Sequence, residues 1–148
     1  WLSILGRQIG KLMPDGALHS SEMGSIIVIL ATDAPLSCLS LRQVAKRAAI
    51  GIGRGGTPGG NNSGDIFLAF STANESPMPQ FSADVLTRQE LNMDRLDPLY
   101  LAAVEADEEA VDNALVAGET VDTFKPPGRK CQAIDTEQLR EIFAAGNP

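Results

Sequence analysis

The sequence predicts an α/β fold, and three observations predict it. Residues 26–30 (IIVIL) and 65–71 (DIFLAFS) are apolar on both faces of an extended chain, the pattern of strands covered on both sides. Leu41, Val44, Ala45, Ala48, Ala49 and Ile52 recur at three- and four-residue spacing, with Arg42, Gln43, Lys46 and Arg47 opposite, which is the periodicity of an amphipathic helix. Small residues are abundant and aromatics make up only 5%, which favours helices packed closely on sheets. With 148 residues, 43% of them hydrophobic, the chain has the size of one domain with a real core.

Taken in order, Leu2 to Leu5 and Gln8 to Leu12 alternate around Gly6 and Arg7 and predict a hairpin. Pro14, Asp15, Gly16, His19, Ser20, Ser21 and Glu22 carry no apolar periodicity and read as an exposed connection. The strand that begins at Ser25 ends near Thr32, where Asp33, Ala34 and Pro35 impose a turn. Ser40 is placed to cap the helix that follows, which ends near Gly53. Residues 55–64 (GGTPGGNNSG) lack the terminal Lys and Ser/Thr of a P-loop and follow a helix, so they read as turns instead of a phosphate cradle. Glu75 to Leu91 is a long surface excursion.

Asp97 caps the next helix, with Pro98 at its first position. Tyr100, Leu101, Val104, Val111, Ala114 and Leu115 supply its buried stripe. Glu105, Asp107, Glu108, Glu109 and Asp112 form a solvated face without a metal, and Gly118 stops the helix. Asp122 to Arg129 is irregular, Lys130 to Ile134 reads as a short edge strand, and Asp135 with Gln138 forms a capping box opening a last helix through Phe143.

Composition excludes several classes. A net charge of −7 argues against a nucleic-acid partner, because phosphate binding needs clustered basic residues. Arg42, Lys46, Arg47 and Arg54 read as one solvated helix face. Cys38 and Cys131 have no metal-ligand spacing and fit a reducing, cytoplasmic compartment, with the periplasm left open. No 18-residue apolar run predicts a membrane helix. Trp1 opens the chain with neither Met nor a signal region, as in a fragment or a processed product.

The chemistry centres on residues 23–35 (MGSIIVILATDAP), a polar lead-in followed by a rigid strand with Ser25 at its start. His19 is the only histidine and sits in the connection, which argues against a Ser-His-Asp triad. A serine without histidine needs another base, and a nucleophile that is residue one of its own chain carries one, its α-amino group. A cut between Gly24 and Ser25 would make Ser25 such a residue, although the pattern by itself gives only a loop and then a buried strand. Ser63 and Asp65 are two apart and emerge on one strand face. If the two apolar strands are neighbours, that face can point at Ser25, with Ser63 relaying a proton and Asp65 balancing the ammonium. Asn61 and Asn62 are placed to donate to an oxyanion. Residue types alone also allow ordinary turn chemistry at Asn-Asn-Ser-Gly-Asp.

Residues 24–35 (GSIIVILATDAP), 42–54 (RQVAKRAAIGIGR), 61–74 (NNSGDIFLAFSTAN) and 108–120 (EEAVDNALVAGET) occur in order, and together the chain resembles the self-processing L-aminopeptidase/D-amidase-esterase family, which includes the β-peptidyl aminopeptidases. The resemblance runs from residues 2–14 (LSILGRQIGKLMP) to the last helix, and is loose after Val121. It implies a four-layer α/β/β/α sandwich resembling N-terminal-nucleophile hydrolases, of which only the C-terminal part is present. Residues 1–24 would end an α-subunit-like segment and residues 25–148 form the β-subunit-like catalytic segment. Ser25 would be nucleophile and new N-terminus, Gly24 the residue before the cut, and Ser63 and Asp65 the supporting pair. The resemblance further implies peptide, amino-acid amide or ester substrates, no cofactor, a homo-oligomer, and an upstream α-subunit segment that brings an asparagine for the oxyanion hole. The alternatives are a nylon-oligomer hydrolase or ornithine acetyltransferase of the same fold, which typically use threonine at the position of Ser25, or an inactive truncated remnant.

Overall fold

The computed structural model describes residues 1–14, 24–77, 79–81 and 83–146. His19 and most of the polar connection lie outside the described residues. The chain divides into two compact units, one of Ser25–Gly51 with Gly64–Asp107, the other of Trp1–Gly24, Ile52–Ser63 and Glu108–Pro148.

In the first unit, β1 (Ile27–Thr32) and β2 (Ile66–Ser71) pair in parallel, in register from Ile27 with Ile66 to Thr32 with Ser71. Parallel pairing needs a long crossover, and the chain between the strands carries α2 (Cys38–Ala45) and α3 (Ala48–Arg54). Val28 is buried, and Leu30 and Ala69, on the same face of the sheet, pack with Leu36, Leu41, Val44, Leu96 and Ala103 into the unit's core. The expectation of strands covered on both sides is corrected. Ile27, Ile29, Ile66 and Leu68 are 68, 60, 57 and 53% exposed, because a two-stranded sheet with one core leaves its other face without a layer.

The predicted helix over residues 41–52 is two helices with Lys46 and Arg47 in a turn between them. Arg47 N–H donates to Val44 at 2.9 Å, a tightened last turn, and its guanidinium stands 3.9 Å over the Tyr100 ring. Ser37, not Ser40, caps α2: its hydroxyl accepts the Ser40 N–H at 3.3 Å. Ser40 is wholly buried, and its hydroxyl reaches Glu90 at 3.5 Å. The surface excursion is closed at its base by the Asn74 amide, which donates to the Gln89 carbonyl at 3.0 Å and accepts the Gln89 N–H at 2.9 Å. Its interior carries a short 3-10 turn at Pro79–Phe81.

The long helix α4 (Asp97–Val116) includes Asp97 as its first residue. Its buried face differs from expectation: Leu101 is exposed, whereas Asp107, expected to be wet, is 4% exposed. The buried residues Ala103, Val104 and Asp107 turn the apolar stripe by about one position, because Gly51 of α3 has no side chain and lets this face come close. A Cβ at Gly51 would lie 2.6 Å from Asp107 Oδ2 and 2.8 Å from the Val104 carbonyl oxygen.

In the second unit the expected hairpin is a tight turn. Ile4 and Arg7 exchange backbone hydrogen bonds at 3.0 and 2.9 Å around Leu5 and Gly6, both at positive φ. Its arms are not strands, because Ser3 N–H is taken by the Gly55 carbonyl, and Gln8 leads into a one-turn helix, α1 (Ile9–Leu12). Ile4, Ile9 and Leu139 form the core with Leu2, Met13, Ile134, Ile142 and Phe143. β3 (Val121–Asp122) pairs antiparallel with β4 (Lys130–Cys131), so the expected edge strand exists and Asp122, expected to be irregular, is its partner. Glu108 of α4 pairs with Arg54 at 3.1 Å. Burial, and then the like charge of Glu108 four residues earlier, raise the Asp112 carboxyl above its usual range.

The last helix, α5 (Thr136–Ala144), starts as predicted: Asp135 accepts the N–H groups of Glu137 and Gln138, both at 3.0 Å. The Ile142 carbonyl in its last turn and the Gly146 carbonyl just beyond its end accept from the Arg7 guanidinium, which lies over Phe143. Asp135→Ala removes two bonds to otherwise orphaned donors and is expected to lower stability by about 0.5–2 kcal/mol, read as a shifted urea midpoint with unchanged m-value.

Candidate active site

Ser25 is exposed and lies two residues before β1. Continuing the β1–β2 register backwards sets Ile26 opposite Asp65 and Ser25 opposite Gly64. A regular parallel ladder would pass the Ile26 N–H to the Gly64 carbonyl. The side chains intervene here: Asp65 Oδ1 accepts the Ile26 N–H at 3.1 Å, and Ser25 Oγ accepts the Gly64 N–H at 2.9 Å. The Ile66 N–H still bonds the Ile26 carbonyl at 2.9 Å, so the strands stay joined up to this point. The end of a regular ladder thus holds a serine hydroxyl and a carboxylate on rigid backbone.

The two strands are neighbours, as the sequence argument required. The register adds a restriction. Asp65 alternates with Gly64, so its side chain belongs to the buried face of Phe67 and Ala69, whereas Ser25 shares the open face of Ile27 and Ile29. Asp65 reaches the neighbourhood of Ser25 through the amide of the next residue. Gly64 is the residue that sequence reasoning missed. The signal lay in its position between Ser63 and Asp65, but only the register shows that it faces Ser25.

In the second unit, the Ser63 N–H donates to the Gly60 carbonyl at 2.9 Å and closes a turn with Asn61 and Asn62 at its exposed centre. Ser63 Oγ stands 3.5 Å from the carbonyl oxygen of Gly24, the carbonyl of the bond that joins Gly24 to Ser25. Among the described residues, no cluster of three or more His, Cys, Asp or Glu has the geometry to hold a metal ion. Nor, among the described residues, is any helix long and apolar enough to cross a membrane. Cys38 and Cys131 are both free thiols.

Residues 1–128 match peptidase family S58, to which the chain belongs. The fold is similar to that of the L-aminopeptidase D-Ala-esterase/amidase of Ochrobactrum anthropi, a variant of the Ntn hydrolase fold, with a TM-score of 0.89 and 51% identity over 98% of this chain and 39% of that one. A Burkholderia β-aminopeptidase matches with a TM-score of 0.79 and 33% identity over 99% of this chain and 41% of that one. In sequence, the chain is 44% identical to beta-peptidyl aminopeptidase BapA of Sphingosinicella microcystinivorans, over 97% of this chain and 39% of the relative. The chain therefore spans about two fifths of the length of the proteins it matches. The α/β class expected from two apolar strands and their helices agrees with these structures.

Proposed function

We propose that the protein to which this chain belongs is a self-processing serine aminopeptidase and amidase. Ser25 is its nucleophile, and the substrates are short peptides, amino-acid amides or esters that lose an N-terminal residue through an acyl-enzyme. The observation that carries the reading is the pair of bonds at the strand ends, Gly64 N–H to Ser25 Oγ and Ile26 N–H to Asp65. The names of the relatives, a beta-peptidyl aminopeptidase and an L-aminopeptidase D-Ala-esterase/amidase, supply the reaction class.

In the processing step, Ser25 Oγ attacks the carbonyl carbon of Gly24 and its proton passes to the Ser25 nitrogen. The carbon–nitrogen bond breaks with its electron pair on nitrogen, leaving Gly24 as an ester on Oγ. Water then hydrolyses the ester and frees a Ser25 with an α-amino group. Ser63 Oγ, at 3.5 Å, is the side-chain donor beside the Gly24 oxygen where negative charge builds during attack. The freed amine, with an ordinary pKa of about 7.7–8.0, is the base for later turnovers. Asp65 holds the Ile26 amide and brings a negative charge close to the new ammonium. Asn61 and Asn62 are assigned contacts with the substrate at the turn that precedes Ser63.

The open apolar face of Ile27, Ile29, Ile66 and Leu68 supports a further assignment, an upstream segment as partner. So large an exposed apolar face marks an interaction site. The test of the whole reading is intact mass and N-terminal sequencing of the full-length protein. The expected result is two polypeptides, the second beginning Ser-Ile-Ile-Val-Ile at Ser25. A single mass, or a different new terminus, would overturn it.

A further inference from the structure

We infer that the backbone N–H of Gly64 is a positioning group for the nucleophile, and that residue 64 must be glycine or very small because its side chain would stand beside the attacking oxygen. The inference rests on the proposed role of Ser25 and deepens it. A hydroxyl has one hydrogen to give and two lone pairs to offer. At 2.9 Å the Gly64 N–H occupies one lone pair of Ser25 Oγ. The other lone pair is left to attack, and the hydroxyl hydrogen cannot point at the Gly64 N–H, which has no lone pair to accept it. The rotamer of Ser25 is thereby set by the backbone of the neighbouring strand, which is itself tied to Ile26 by the Ile66 N–H.

The same bond changes strength along the reaction. As the proton leaves Oγ the oxygen gains negative charge, and a hydrogen bond to a charged acceptor is roughly twice as strong as a neutral one. The gain recurs when the acyl-enzyme breaks down, because Oγ then departs from the acyl carbon with the electron pair. An interaction stronger in the transition state than in the ground state raises the rate of the chemical step.

The second half of the inference follows from space. A Cβ built at Gly64 would lie 3.6 Å from Ser25 Oγ, an ordinary contact, and would be on the open face that Ser25 shares. Anything longer than a methyl group would project from there into the space an acyl group must occupy.

The donor can be removed without changing the side chain by translating the full-length protein with glycolic acid, the α-hydroxy acid counterpart of glycine, at position 64. The α-hydroxy acid counterpart of threonine at Thr72 removes a ladder bond of similar length, Thr72 N–H to the Thr32 carbonyl at 3.0 Å, at the far end of the same strand pair, and likewise keeps the side chain. Both proteins lose one backbone donor, so a merely structural role predicts equal effects. The expected result is that the Thr72 form is cut at the normal rate, whereas the Gly64 form is cut at least about tenfold more slowly. Once cut, it is expected to show a lowered kcat on an amino-acid p-nitroanilide with KM unchanged within twofold. Equal cutting rates for the two forms would overturn the inference, as would a change confined to KM. Failure of the parent proposal is separate: there the unmodified protein is not cut at Ser25 at all.

Discussion

Ser25→Ala in the full-length protein is expected to leave a single uncut polypeptide and to abolish hydrolysis of amino-acid amides, by at least about 10⁴-fold. Two losses coincide in this substitution. The hydroxyl proposed to attack Gly24 is gone, so the ester at the junction would not form. Without the cut, the nitrogen of residue 25 stays an amide, which has no basic lone pair, so the second function of the residue never appears. Supplying the separated segments, with the chain expressed from an initiator methionine that is removed to expose residue 25, distinguishes the two. The wild-type chain is then expected to turn over substrate, and the Ser25→Ala chain is expected to remain inactive though its terminus is free. Mass spectrometry reads the cut and p-nitroaniline release reads the turnover. A Ser25→Ala precursor still divided after Gly24 would mean that the nucleophile lies elsewhere.

Gly51→Ala is expected to destabilise the protein by about 2–3 kcal/mol, the upper part of the range for overpacking. Alanine in a helix is worth about 0.5–1 kcal/mol more than glycine, so by propensity the substitution would stabilise α3. Packing decides the sign. The new Cβ would meet Asp107 Cβ and the Val104 carbonyl oxygen, both at 2.8 Å, and a backbone carbonyl in the middle of α4 cannot rotate aside. Asp107 is itself buried, so its carboxylate has little room to give way. Gly53→Ala is the internal control: it lies in the same helix, with no atom within 4 Å of an added Cβ. It is expected to raise stability by about 0.5–1 kcal/mol. Urea unfolding of the two variants beside the wild type reads both signs, and a Gly51→Ala protein as stable as Gly53→Ala would contradict the close approach of α3 and α4.

Much of the local structure could be read from the chain because its signals are local. The Asp135 cap of α5 depends on a carboxylate within three residues of its partners. β1 and β2 are each five apolar residues followed by one hydroxyl residue, and the order of Ser25, Ser63 and Asp65 against their strands needs only residue counting. The errors fell where distant segments decide. Ser37 caps α2 in place of Ser40, since the helix starts three residues earlier and Ser40 is drawn inward to Glu90, fifty residues away. The predicted hairpin at Gly6 kept its turn but lost its strands to a bond from Ser3 to Gly55.

By itself, then, the sequence determined an α/β chain whose two apolar strands each carry polar catalytic candidates at their entry, because hydrophobic period and turn chemistry act over a few residues. Only the tertiary structure decided which faces those candidates share. The parallel register sets Ser25 against Gly64 and sends Asp65 to the other face, and a shift of one residue would exchange them. Register is settled by backbone hydrogen bonds between segments some forty residues apart, and no local pattern in either strand records it.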